Sequence, residues 1–539
     1  MFGDSNPSGR VATAKATVGE SDAWLNHFRL SADETSAATF DRPQTILFAL
    51  IVALFTGLRF WRLTRFGLFG DETFTVNVAT SSWGELIDKV VADIVHPPLF
   101  YMLLKIWILI GGQTEIWLKL LPCLTSIAAI MPFFLLCREL KMKPAAINLA
   151  LALMAVNAYL VFHAQDLRMY GLMMLLTITS LWLFAKFFNS RDVTIRFQAV
   201  LFATNLLMVY THYYGWLVVG VEFCFLLLWG RRKLLLFSLA LLALVIGFSP
   251  WVYAVSQAAI KEGGLAKNLG WNRSPGFEYF IGYFAILLGE LDERWKYFGA
   301  YLDQMVRIFP KLALLFTFPV LLWCWQALGR AKSKGKSQSI TFWWLAMLSF
   351  LPAVTSFSAS HVLPQSIWAE RYLIISAPAF MILLAIACLK LDLKWMRITI
   401  VLLLFGWSAL SGVVQIGHRD MVAYEPIVHR LIESESDRPA VTKIYTNSHN
   451  MESTFNFYLT KSQDKKFQAV WVNDYTEATG DNFWVTFISY TPKTREEVGN
   501  IFKSRGYQIS EERRVEAFTY EVVLLRVERP PVRDVVQTG

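Results

Sequence analysis

Cysteine is scarce in this chain: five among 539 residues, at Cys123, Cys137, Cys224, Cys324 and Cys388. All five lie inside apolar runs and none has metal-ligand spacing, which excludes a disulfide framework or a zinc motif as what holds the chain together. Charge is scarce too. Asp, Glu, Lys and Arg make up 17% of the residues, against about 25% in an average soluble domain. A cleavable signal is also missing from view. Residues 1–43 are polar and rich in Ser, Ala and Thr, so they are expected as a disordered cytoplasmic tail, with the first apolar run acting as an uncleaved anchor. No clear internal repeat stands out.

What is abundant is apolar sequence, 55% of residues with 15% aromatic, and most of it arrives in runs of about 18 to 23 residues, the length that spans hydrocarbon. The fold class that follows is mainly α: a polytopic membrane protein with juxtamembrane helices in its first outer loop and a small C-terminal soluble α/β domain. Runs at 45–61, 116–136, 145–162, 171–188, 198–213, 216–230, 234–255, 309–327, 340–357, 372–389 and 396–414 make about eleven spans. The run 99–110 is too short to cross and is read as interfacial or re-entrant. The net charge of +9 does not call for nucleic acid. Its Lys and Arg sit in short clusters beside apolar runs (Arg138, Lys141 and Lys143; Arg231 to Lys233; Arg330 with Lys332, Lys334 and Lys336; Lys390, Lys394 and Arg397), as cytoplasmic loops do. That places the N-terminus in the cytoplasm and residues 416–539 outside, with residues 44–415 as the membrane domain. In the C-terminal part, β-rich runs at 443–445, 467–472, 483–489 and 520–526 alternate with helical patterns at 452–459 and 495–504. It is read as a packing or stability module.

Polar motifs then fall at the outer ends of the spans. GDETF (Gly70 to Phe74) follows the first run, which ends in Arg59, Arg62 and Arg65 at three-residue spacing along one helical face. Ser82 and Glu85 have capping-box spacing ahead of an amphipathic helix. HPPLFY opens the short segment at His96; HAQDLRMY carries Gln165, Asp166, Arg168 and Tyr170; THYYGW carries His212 and Tyr213; ERYLIISAP carries Glu370, Arg371 and Tyr372. Each alone has an innocent reading, since interfacial Tyr, Trp and Arg anchor helices and acids at a helix end can simply face water. An aromatic amphiphilic patch at 277–291 is expected to rest on the bilayer surface and cover the site.

In that order, these motifs resemble the GT-C type membrane glycosyltransferases that use polyprenyl-phosphate sugars, the superfamily of protein O-mannosyltransferases and lipid A aminoarabinose transferases. The resemblance covers about residues 45–415. It implies transfer of a sugar from a polyprenyl-phosphate donor to a hydroxyl of a glycan, lipid or protein acceptor at the extracytoplasmic face of the plasma (inner) membrane, by inverting displacement. On that basis Asp71 is the base, and Glu72 orients it, binds substrate or helps to hold an ion. Asp166 is the second acid. Arg371 with Tyr372 takes the lipid phosphate, with Arg168 and the arginines of the first run as weaker candidates, and His96 and His212 bond phosphate. The resemblance assigns no definite cofactor. A divalent cation on Glu72, His96 and His212 stays open, although no tight ligand motif is present. The rival reading is a transporter or flippase of lipid-linked sugars, which would favour internal repeats and mid-membrane polar sites.

Overall fold

A computed structural model describes residues 40–64, 67–261, 274–289, 336–391, 393–417, 424–434, 441–463, 465–489, 491–516 and 521–530. The expected tail up to residue 39, Arg65, the run at 309–327 and the cluster Arg330 to Lys334 lie outside these residues. The membrane body begins with α1 (Arg42–Phe60), whose exposed Leu50 and Leu54 present an apolar face. Then come α2 (Asp71–Thr80), α3 (Trp83–Asp93) and α4 (Leu99–Gly111). Ser82 and Glu85 form the capping box expected at the start of α3. At the other end of α2, Lys105 of α4 donates to the carbonyls of Ala79 and Ser81, supplying the cation that a helix C-terminus favours. The α4 helix is apolar but short, and stacked Trp107 and Trp117 lock it to the next helix, each indole donating to the other's carbonyl at 2.7 and 2.8 Å.

Beyond it, α5 (Glu115–Ala128) and α6 (Ile130–Glu139) together form one 25-residue span. The next run is broken rather than straight: α7 (Pro144–Val156) meets α8 (Ala158–Gln165) at 60°. Asn157 makes the corner. Its side chain accepts from Leu160 N–H at 3.0 Å and donates to Leu287 C=O at 2.8 Å. A break inside apolar surroundings leaves carbonyls that water cannot reach. The buried Arg59 guanidinium takes two of them, Ala155 at 2.8 Å and Met154 at 3.0 Å.

The bundle continues through α9 (Tyr170–Asn189), α10 (Ile195–Thr211), α11 (Gly215–Trp229), α12 (Arg231–Lys261), α13 (Phe277–Leu287) and α14 (Lys336–Val362). A 3-10 turn (Glu370–Ser376) leads into α15 (Ala377–Leu389), and α16 (Lys394–Gly417) follows. Apolar on every side, α15 is buried on every side, as the central element of a bundle must be. Among the described residues, six helices are long and apolar enough to cross a membrane, or seven if the bent α7–α8 pair is one span. The expected count of eleven is therefore not reproduced; α10 and α11 are apolar but shorter than the usual span length.

The C-terminal domain starts with α17 (Tyr424–Ser434). It folds as a five-stranded sheet ordered β2-β1-β3-β5-β4 from β1 (Thr442–Thr446), β2 (Phe467–Trp471), β3 (Asn482–Ser489), β4 (Gln508–Glu516) and β5 (Glu521–Glu528). β1 pairs parallel with β2 and β3, whereas β5 runs antiparallel to β3 and β4. Two helices, α18 (His449–Lys461) and α19 (Pro492–Ser504), complete it. Alternation along β5 sends Val523, Leu525 and Val527 into a core with Phe502 of α19, while Val522 and Leu524 join a second core shared with α18 and continuous with that of the membrane body. The domain is thus packed onto the bundle at the end that carries Asp71.

Candidate active site

The acidic loop is shaped by Gly70, whose φ of +51° suits a residue without a side chain. Phe69 and Gly70 carbonyls accept the amides of Glu72 and Phe74, both at 3.0 Å, which starts α2 with Asp71 and Glu72 in its first turn. There the positive end of the helix favours both carboxylates. The two then diverge. Glu72 is buried and accepts from Leu167 N–H at 2.8 Å and Phe69 N–H at 3.4 Å, tying its loop to the one before α9. Asp71 keeps a side chain 42% exposed and pairs with Arg371 at 3.2 Å, across 300 residues of sequence.

Arg168 lies beneath this pair. It donates to Asp71 C=O at 3.2 Å and Thr75 Oγ1 at 2.7 Å, and its other nitrogen stands 3.3 Å from His96 Nδ1. The His96 ring meets His212 at 5.4 Å and Tyr372 at 5.8 Å; His212 and Tyr372 are 4.5 Å apart. Five separate motifs therefore converge on one cluster: the loop before α2, the turn before α4, the turn before α9, the turn before α11 and the 3-10 entry to α15.

Its electrostatics are set by two guanidiniums. Burial pushes the Asp71 carboxyl up, but Arg168 and Arg371 outweigh it and hold the group below the usual carboxylate range, so Asp71 is ionised at neutral pH. Burial first, then the same two cations, drives His96 well below its ordinary value, and His212 is lowered by burial with help from His96 and both arginines. Both imidazoles are neutral. The 3.6 Å approach of His96 to Asp93 is accordingly not an ion pair at neutral pH. Asp93 itself is pushed up to about 6, by burial and then by the negative charge of Asp71, against the pull of Arg168.

Other residues singled out from the sequence lie at the margin or turn away. Asp166 is mostly buried and stands 3.8 Å from His163 Nδ1, close enough to Asp71 for their charges to interact. Gln165 donates to the carbonyls of Leu58, Arg59 and Trp61, holding the end of α1. Tyr213 donates to Ile94 C=O and accepts from Trp251. Glu370 accepts from Trp368 Nε1 at 2.9 Å, and the Tyr170 ring lies against His163 at 4.6 Å. The anion role considered for the first-run arginines does not suit the geometry of Arg59, whose guanidinium faces main-chain carbonyls. Among the described residues, no three His, Cys, Asp or Glu side chains converge as a metal site. Thr75, Asp93 and the residues of α18 that touch the loop carry no sequence signal; only Gly67 and Gly70, just ahead of the acidic pair, hint at a close approach.

No protein-family model matches the chain, and no curated protein matches its sequence. Solved structures do. The chain is similar to ArnT from Cupriavidus metallidurans in the apo state, with 15% identity over 89% of this chain and 98% of that one, at a TM-score of 0.54. It is also similar to the same protein bound to undecaprenyl phosphate, with 14% identity over 88% and 97%, at 0.52. The archaeal oligosaccharyltransferase AglB from Archaeoglobus fulgidus aligns over 77% of this chain and 63% of its own, with 12% identity and a TM-score of 0.48. The membrane bundle with its C-terminal sheet domain thus shares the fold of ArnT.

Proposed function

We propose that this protein is an integral-membrane glycosyltransferase that takes its sugar from a polyprenyl-phosphate donor and passes it to an acceptor hydroxyl. The observation that carries the proposal is the part-exposed Asp71–Arg371 pair, backed by Arg168, on a fold shared with a protein solved with undecaprenyl phosphate. Two guanidiniums at the end of a membrane bundle suit a lipid phosphate, since planar N–H donors match phosphate oxygens and stabilise charge as it leaves. An ionised carboxylate beside them suits a base.

In the step proposed, the acceptor oxygen attacks the anomeric carbon as its proton passes to Asp71. The bond from that carbon to the phosphate oxygen breaks, and its electron pair leaves with polyprenyl phosphate, beside Arg371. Attack opposite the leaving group inverts the anomeric centre. Asp71 is a weak base while Arg371 holds it. A phosphate arriving at Arg371 engages that cation and adds a negative charge, so donor binding itself raises the proton affinity of Asp71.

The basic clusters support an orientation. α9 runs from Tyr170 at the margin of the site to Asn189, which donates to Glu139 at 2.6 Å, and Lys233 donates to the carbonyls of Phe187 and Ser190. Arg138, Lys141, Lys143 and Arg231 to Lys233 thus gather at the end away from Asp71, which the positive-inside rule puts in the cytoplasm. The site and C-terminal domain then face outward. Purified protein with a panel of polyprenyl-phosphate sugars tests the activity. Wild type is expected to transfer sugar and Asp71→Asn to lose at least about 100-fold in rate with undecaprenyl phosphate still bound; full transfer by the variant would overturn the assignment.

A further inference from the structure

We infer that the C-terminal domain positions the acidic loop, with Tyr458 and Thr454 of α18 as positioning residues acting on the loop backbone. The inference rests on the role proposed for Asp71. Three consecutive loop residues are gripped. The Tyr458 hydroxyl accepts Leu68 N–H at 2.8 Å and donates to Leu68 C=O at 3.2 Å, across 390 residues of sequence. Phe69 stacks on Tyr424 of α17 at 5.2 Å, with ring planes 12° apart, and Tyr424 in turn packs edge-on against Phe455 of α18. Thr454 Oγ1 accepts Gly70 N–H at 3.0 Å while donating to Asn450 C=O at 2.6 Å, which fixes the hydroxyl's direction.

The loop is built for this approach. A Cβ at Gly67 would lie 2.4 Å from the Tyr458 oxygen, so only glycine lets the phenol reach the main chain there. At Gly70 a Cβ would press on Asn450 at 3.3 Å. Residues 68 to 70 set where Asp71 begins α2. A displacement there swings the carboxylate relative to Arg371, which is carried on a separate element, the 3-10 turn that leads into α15. Tyr458, Thr454, Leu68 and Gly70 are all buried, so water cannot readily replace a lost hydroxyl. A purely stabilising contact would need neither a phenol straddling both polar groups of one peptide residue nor a glycine cleared for it.

The test uses the full-length protein with Tyr458→Phe, Thr454→Val, the conservative Thr454→Ser, and Gly67→Ala, which attacks the same contact from the loop side. Hydrogen–deuterium exchange over residues 67–76 is expected to quicken by about tenfold or more in all but Thr454→Ser, with α9 and α15 unchanged as the control for folding. Transfer kcat is expected to fall on the order of 10- to 100-fold, with donor KM within about threefold, and Tyr458→Phe added to Gly67→Ala should cost little more. Wild-type exchange in Tyr458→Phe and Thr454→Val overturns the clamp whatever the activity does. Faster exchange with full kcat overturns its catalytic consequence. If Asp71→Asn keeps full transfer, the proposed reaction falls, and exchange alone still judges the clamp.

Discussion

Asp71 and Glu72 are neighbours in sequence with divided labour. Glu72 is committed to two amide donors and holds loops together, whereas Asp71 is part-exposed and answers to two cations. That division predicts a pH signature. In the free protein Asp71 is held below the usual carboxylate range, so kcat/KM, which reports the free enzyme, should lose activity only in strong acid. If the donor phosphate engages Arg371 as proposed, the carboxyl rises and the acid limb of kcat should lie at higher pH. Steady-state profiles of both parameters check this. Coincident limbs would mean that Arg371 stays with Asp71 throughout turnover. The acids, both arginines and the two histidines were legible as motifs because membrane-end charge is rare enough to notice. Asp93, Thr75 and Tyr458 were not, since each matters through a partner distant in sequence and sits in no distinctive local pattern.

Among the elements, the spans α1, α5–α6, α9, α14 and α15 follow from apolar run length, and α3 from its capping box. The bend between α7 and α8 does not, because no Pro or Gly marks it: an asparagine serves as cap for both halves, and the compensating donor, Arg59, is nearly a hundred residues away. Strand β4 was overlooked for a related reason. Its sequence QISEERRVE alternates in burial but is largely charged, stabilised by pairs such as Arg514–Glu512 at 2.6 Å, so no apolar period of two announces it. The bend yields its own prediction. Arg59→Met keeps the apolar stem and removes the donors from two buried carbonyls, each worth about 1–3 kcal/mol. Unfolding measured by denaturant titration should shift by about 2–5 kcal/mol with undecaprenyl phosphate affinity unchanged once folded. No shift would mean the carbonyls find other partners.

Taken whole, the molecule is a bundle with charge sorted to its two ends and a sheet domain packed over one of them. Single cysteines introduced into a cysteine-free background can read the orientation. Lys493→Cys in the C-terminal domain is expected to react with a membrane-impermeant maleimide in cells whose inner membrane is intact, and Lys141→Cys only after that membrane is opened. The reverse pattern would invert the topology. The helical membrane bundle and its small C-terminal sheet domain were readable from run length and the change of pattern after it, though not the number of spans; the seating of the sheet domain against Gly67 to Gly70 was not, since it arises from packing across the whole length of the chain.

That seating has a consequence for biosynthesis. Leu68 emerges early from the ribosome, while its partner Tyr458 is made 390 residues later. An unfinished or truncated chain would therefore already be inserted in the bilayer with its acidic segment unset, and that segment would be fixed only after the last domain has been made and folded into place.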